Sequence, residues 1–189
     1  LAHSTDSWEY KSVWDRCITR GVPGSMFPTA YNNAYQILQI PGYVVIRYEM
    51  IHDVRIIPLD GRRHIGSDIR LWMGDSRGRW EGNTLVVETT SYNNQGHMVT
   101  SNATSRRLKG IGVSEALRVV ERFTRVDEHT LNWEATVEDP NVYTRPWTVA
   151  MPLKSKPEYQ IYEYMDKEEN NEMVKRELNH LLNDLETSS

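Results

Sequence analysis

Arg79-Trp80-Glu81-Gly82-Asn83-Thr84-Leu85-Val86-Val87-Glu88-Thr89-Thr90 decides the fold class. Two arms rich in β-branched and aromatic residues flank Gly82-Asn83, a dipeptide that accepts the backbone of a tight turn, so the stretch reads as a β-hairpin. The same pattern repeats outward from it. Ala116 to Val126 and Thr130 to Glu138 alternate in character and are joined by Asp127-Glu128-His129, a second hairpin. Upstream, Ala34 to Ile40 gives one strand, Pro41-Gly42 a turn, and Tyr43 to Ile57 one long strand that Pro58-Leu59-Asp60-Gly61 closes. Tyr143 to Met151 and Tyr159 to Met165 complete the series. No helical pattern falls between strands, which argues against a doubly wound parallel sheet.

The ends of the chain differ from this middle. Ser7 to Arg20 has helical possibilities, and Gly21 to Pro28 is a Pro/Gly-rich loop leading into the sheet. From Lys167 onward Val174, Leu178, Leu181, Leu182 and Leu185 fall at helical spacing and predict an amphipathic helix. The expectation is therefore a mainly β single domain over 1–189. It comprises an N-terminal arm over 1–30, an antiparallel meander over 31–165 with long loops at 62–78 and 91–114, and a C-terminal helix over 167–186. Closure of the meander into a lipocalin-like, calycin-type barrel removes exposed strand edges and lets the helix bury its stripe. A two-sheet β-sandwich is the alternative.

Composition narrows the partners. The 189 residues carry 22 Lys and Arg against 26 Asp and Glu, a net charge of −4, and 39% are hydrophobic. That supports one core and disfavours a phosphate-backbone binder, so no nucleic acid is expected. No run approaches the roughly 20 apolar residues that span a bilayer, so no membrane partner is expected. The N-terminus shows no leader pattern, which leaves localisation open: the expectation is cytoplasmic for the chain as it stands and exported if a leader has been trimmed. Cys17 has no second cysteine to pair with. Ten Tyr and six Trp outnumber two Phe. Aromatics with a polar tip suit the wall of a ligand cavity, and equally a half-exposed sheet face.

On an unbroken strand from Tyr43 to Ile57, Arg47, Glu49, Asp53 and Arg55 share one face while Tyr48, His52 and Val54 share the other. If the first face looks inward, its charges form a group that must be paired. Glu88 sits beside Val86 on its strand, and Glu121 beside Leu117, Val119 and Phe123, so each is a carboxylate on an apolar stripe suited to acid–base work or to an ion pair with arginine. The six histidines are scattered with no metal-ligand spacing, although His52 and His64 could converge with Glu49 or Asp53. No Gly-x-Ser-x-Gly turn, phosphate loop or dinucleotide fingerprint occurs, so no cofactor is expected.

Several longer segments resemble a large bacterial family of usually exported proteins to which no reaction is attached. They are Ile40-Pro41-Gly42-Tyr43-Val44-Val45-Ile46, Glu49 through Arg62, Trp72 through Thr90, Glu121 through Asp127 and Tyr143 through Thr148, together with Arg16-Cys17-Ile18 and Tyr31-Asn32-Asn33. The resemblance covers roughly residues 16–173. After the Tyr162-Glu163-Tyr164 segment the family continues Cys-His-Glu-Gly-Asn, whereas this chain has Asp166-Lys167-Glu168-Glu169-Asn170. The departure implies that an activity using that pair is lost or exchanged here, and suggests recruitment to biosynthetic tailoring.

The function expected from these features is cofactor-free acid–base catalysis on a small, largely apolar molecule in a barrel cavity: a cyclase, isomerase or dehydratase. Glu49, His52, Arg55, His64, Glu88 and Glu121 are the candidate catalytic residues. Glu49 or Glu121 would be the base, His52 or His64 the acid, and Arg55 or Arg145 an oxyanion stabiliser. Tyr31, Tyr48, Trp72, Trp133, Arg145, Trp147 and Tyr164 are the candidate substrate contacts. A non-catalytic ligand-binding barrel and a metal enzyme built on His52 and His64 are the alternatives. The leucine stripe of the C-terminal helix also offers a route to a homo-oligomer.

Overall fold

The computed structural model describes residues 13, 16–28, 32–97 and 111–162. The expected helix over 167–186, the centre of the 91–114 loop, and Tyr31 and Tyr164 lie outside them. So does most of the Ser7–Arg20 segment, and its described residues from 16 to 20 are turn, bend and coil. No helix among the described residues is long and apolar enough to cross a membrane.

The described chain is mainly β, in two antiparallel sheets. β1 (Tyr35–Ile40), β2 (Tyr43–Tyr48) and β3 (Val54–Pro58) form the smaller. The larger is a meander of β4 (Asp75–Glu81), β5 (Thr84–Thr90), β6 (Arg118–Asp127), β7 (Thr130–Glu138) and β8 (Trp147–Lys154). Its turns fall at Gly82-Asn83 and Glu128-His129, where the sequence places them. β8 begins four residues later than Tyr143 because the amides of Val142 and Tyr143 both donate to the Asp139 carbonyl, holding the chain in a turn. Residues 159–162 are not strand. They belong to a strap that leaves β8 where the Ser155 amide bonds the His129 carbonyl. Among the described residues no ladder joins β1 to β8, an arrangement compatible with the sandwich alternative.

The expected long strand is two strands. A 3₁₀ turn at Met50–His52 separates β2 from β3, with Ile51 and His52 in the left-handed region at φ 63° and 47°. This turn reverses the chain and resets which side chains face inward. Val44, Ile46 and Tyr48 of β2 are buried together with Arg55 and Ile57 of β3, and Ile46 lies directly opposite Arg55. Arg55 therefore joins the apolar face and parts from Arg47, correcting the shared charged face. His52 leaves the apolar face altogether and is exposed at the turn.

The inner face of the larger sheet is a grid. One row runs Trp80, Leu85, Phe123, Trp133, Met151; the next Gly78, Val87, Glu121, Ala135, Val149; a third Ser76, Thr89, Val119, Val137, Trp147. Small residues flank Glu121 in its row, leaving room for a side chain from the opposite sheet. At Gly78 the two layers approach closely. A Cβ there would stand 2.7 Å from Leu59 Cδ2 and 2.9 Å from Ile57 Cγ2, so a side chain at this position would push β3 off β4.

Candidate functional site

Two polar centres lie inside this frame, one sealed and one open. The sealed centre spans the sheets. The Arg55 guanidinium reaches from β3 to donate from Nε to Ser76 Oγ at 2.8 Å and from Nη2 to Thr89 Oγ1 at 2.7 Å. Nη2 also stands 2.5 Å from Glu121 Oε2, an ion pair whose side chains are 3% and 0% exposed. Trp133 Nε1 donates to the other Glu121 oxygen at 3.0 Å. Tyr48 and Tyr92 complete the cluster. Burial is the largest single influence on Arg55 and lowers its pKa, but the Glu121 charge, the hydrogen bond to it and the Tyr48 and Tyr92 phenols together outweigh burial and leave the guanidinium more firmly protonated than usual. Burial raises both phenols well above their ordinary range, so they stay neutral. Removing two charges from water is costly, and the hydroxyls that accept from Arg55 and the indole that donates to Glu121 offset only part of that cost, because Arg55 Nη1 has no hydrogen-bond partner among the described residues.

The open centre lies along a cleft of about 1510 Å³. Its walls are apolar side chains from both sheets, Ile37, Val44 and Ile46 facing Leu85, Phe123, Met151 and Leu153, and its rim is polar, including Arg47, Arg125, His129 and Lys154. The strap bounds it through Tyr159. That hydroxyl meets both Glu49 oxygens, at 2.8 and 3.0 Å, across 110 residues of sequence. Glu49 is only 2% exposed, because it sits where β2 ends and the 3₁₀ turn begins, with its amide on the Ala34 carbonyl and Tyr159 laid over its carboxylate. No cationic side chain among the described residues forms an ion pair with it. The hydrogen bond to Glu49 raises the Tyr159 pKa, so the phenol is held as a donor.

The expected site residues thus divide. Glu49 lines the cleft. Arg55 and Glu121 are brought together, a pairing the sequence does not announce, but neither lines the cleft, and Tyr48 and Trp133 belong to their sealed cluster. Trp133 is packed edge-on by Phe27, and Trp147 is stacked by Phe27 and met edge-on by Tyr143, so these rings are core and partly buried wall. His64 is taken by Asp75, Nδ1 to Oδ2 at 2.8 Å, and Asp75 is further held by Arg77 at 2.6 Å. Glu88 faces outward and receives Arg118 Nε at 2.6 Å, the ion-pair reading of that residue. Arg145 is exposed in the turn before β8, and Trp72 borders a separate cavity of about 10 Å³. His52 and His64 do not converge. Among the described residues, no group of three or more His, Cys, Asp or Glu is placed to hold a metal ion.

Tyr159 is the residue that sequence reasoning missed. Its surroundings read as a last strand, and nothing local announces a contact with a residue 110 positions away. Comparison of the chain with protein-family models, with curated proteins and with solved structures finds no match.

Proposed function

We propose that this protein binds a small, largely apolar molecule in the cleft between its sheets and moves a proton on it without a cofactor, with Glu49 as the acid–base group and Tyr159 orienting it. One observation carries the reading: a carboxylate shielded from bulk water stands on the wall of a large apolar cleft, held among the described residues by one phenol. Cyclisation, isomerisation and dehydration each need a group that can take and return a proton beside a bound conformer kept dry. The apolar walls would supply the second requirement. Kinship with the bacterial family, and closure of the two sheets into a lipocalin-like barrel carrying a C-terminal helix, belong to the same proposal; the strap that crosses from β8 to the end of β2 supports the closure.

A carrier without chemistry is the second reading, favoured by a different fact. Most of the charged groups expected to act, Arg55, Glu121, His64 and Glu88, are committed to partners away from the cleft. Native mass spectrometry of freshly purified protein tests the pair. The cleft reading predicts a retained organic molecule whose occupancy falls in Leu153→Trp, which puts a bulky ring against one wall of the cleft. Retention unchanged both in that variant and in Val44→Trp on the facing wall would place the site elsewhere. With the molecule identified, conversion by wild type and its absence in Glu49→Gln supports the enzyme, whereas equal conversion by both removes Glu49 from the chemistry. Binding with no conversion by either leaves a carrier.

A further inference from the structure

The cleft carries a charge pattern that the acid–base reading leaves unused. Arg47, Arg125, Lys154 and Lys156 lie on its lining against Glu49, Asp127 and Glu128, a cationic excess in a chain whose net charge is −4. Two of these cations are occupied by the turn between β6 and β7. Arg125 donates to the carbonyls of Asp127 and Glu128, and Lys154 Nζ donates to Thr130 Oγ1 at 2.7 Å with the Asp127 charge nearby. Arg47 and Lys156 differ. Among the described residues neither side chain makes a hydrogen bond or an ion pair. Elsewhere Arg62, Arg77, Arg79, Arg118 and Arg122 each hold a carboxylate.

Their places in the chain bring these two cations to one end of the cleft. Arg47 precedes Glu49 by two residues at the end of β2, and Lys156 opens the turn Lys156-Pro157-Glu158-Tyr159, whose Tyr159 amide donates to the Lys156 carbonyl at 3.0 Å. Proline at the second position presets such a turn. A two-residue step of strand and a four-residue turn each span about 7 Å, and the Tyr159 hydroxyl on Glu49 joins the two segments, so both cations border the end where Glu49 lies. Glu49 does not neutralise them, because it is 2% exposed with both oxygens on the phenol. We propose that the molecule taken by the cleft is an amphiphilic acid, its apolar body along the walls and its anionic group at the rim with Arg47 and Lys156. The inference rests on the cleft being a ligand site and adds the charge of the ligand. A guanidinium and an ammonium at the mouth of an apolar cleft suit an acid that keeps its head in water while its body is buried. The cleft of about 1510 Å³ exceeds the roughly 300–1,000 Å³ common for small-molecule sites, so the body is long or bulky. A net charge of −4 opposes an anionic bilayer, which favours a free acid over a headgroup in a membrane.

Fluorescence titration of the full chain with dansylaminoundecanoic acid and its methyl ester, which share one apolar body, tests the charge and the cleft separately. In low salt the acid is expected to bind about tenfold tighter than the ester, and the preference should shrink as salt is raised. Arg47→Gln with Lys156→Gln should bring the acid to within about twofold of the ester. The ester's own affinity should not change, which also shows that the double variant is folded. Leu153→Trp and Val44→Trp should weaken both probes alike. Equal binding of acid and ester by wild type, or a preference that survives the double variant, overturns the assignment while the cleft reading stands. If neither probe binds, or both wall variants leave them unchanged, the cleft itself fails as a site and the assignment falls with it. Capture of the protein by vesicles rich in phosphatidylglycerol, lost in the double variant, would give the two cations to a membrane surface and overturn the free acid.

Discussion

Glu121 and Glu49 are both almost wholly buried, yet they are held in opposite ways. Glu121 has a guanidinium at 2.5 Å, an indole N–H at 3.0 Å and neighbours from several strands of both sheets. Among the described residues Glu49 has one phenol and a cleft. A buried charge whose every partner is protein is part of the architecture, and removing any of them leaves the others stranded. A buried carboxylate with little protein around it that is charged or polar is free to respond to what enters from outside. Charge on an apolar stripe is common to both, so that feature alone does not separate framework from chemistry; the partners do.

The sharpest way to break this comparison is Arg55→Met. It leaves Glu121 without its cation inside the core, and urea unfolding should show a loss of about 3–5 kcal/mol. Arg55→Met combined with Glu121→Leu should recover most of it, since an apolar pair of similar volume spares both charges their desolvation. A double variant no more stable than Arg55→Met would mean that the pair does more than balance itself. Trp133→Phe should cost less. It removes the indole donor to Glu121 from a fully buried position, and leaving that oxygen short of a partner costs about 1–3 kcal/mol.

The phenols give the sealed centre a pH signature. Tyr48 and Tyr92 keep their protons in the folded state well above the range where the unfolded chain loses them. Above the ordinary phenol pKa of about 10 the unfolded state therefore binds fewer protons than the folded one, and stability falls as pH rises, by up to about 1.4 kcal/mol per pH unit for each group. The contribution is intact below that pKa and lost progressively above it. Urea midpoints from pH 8 to 11 should decline beyond pH 10, and less steeply in Tyr92→Phe. An identical alkaline slope in wild type and variant would show that this phenol titrates alike in both states.

Much of the larger sheet was legible because its turns are written locally. Gly82-Asn83 and the Asp127–His129 turn fix two hairpins, and period-two alternation through Leu117, Val119, Glu121 and Phe123 puts Glu121 inward, where it is found. The smaller sheet was misread at one place with large consequences. Ile51 and His52 adopt a left-handed backbone that a β-branched residue and a histidine seldom signal, with no Gly, Asn or Pro to announce the turn. Because strand faces alternate, that unseen turn moved Arg55 from the Arg47 face to the core. The partners of Glu121 and Glu49 were illegible for another reason. Arg55, Trp133 and Tyr159 come from elements far apart in the chain, and only tertiary packing chooses among the many arginines and aromatics available.

Glu49→Gln carries the smallest expected effect on stability and the most information. The glutamine carbonyl can still accept from Tyr159, no cation among the described residues is stranded, and the change should lie within about 1 kcal/mol of wild type. Set beside Arg55→Met, this separates the two centres: the sealed one fails by unfolding, the open one by losing chemistry in a protein that remains folded. If Glu49→Gln destabilised as severely as Arg55→Met, its carboxylate would be a framework group after all. The cleft would then be left with no buried acid to act on its contents, and the carrier reading would gain what the enzyme lost.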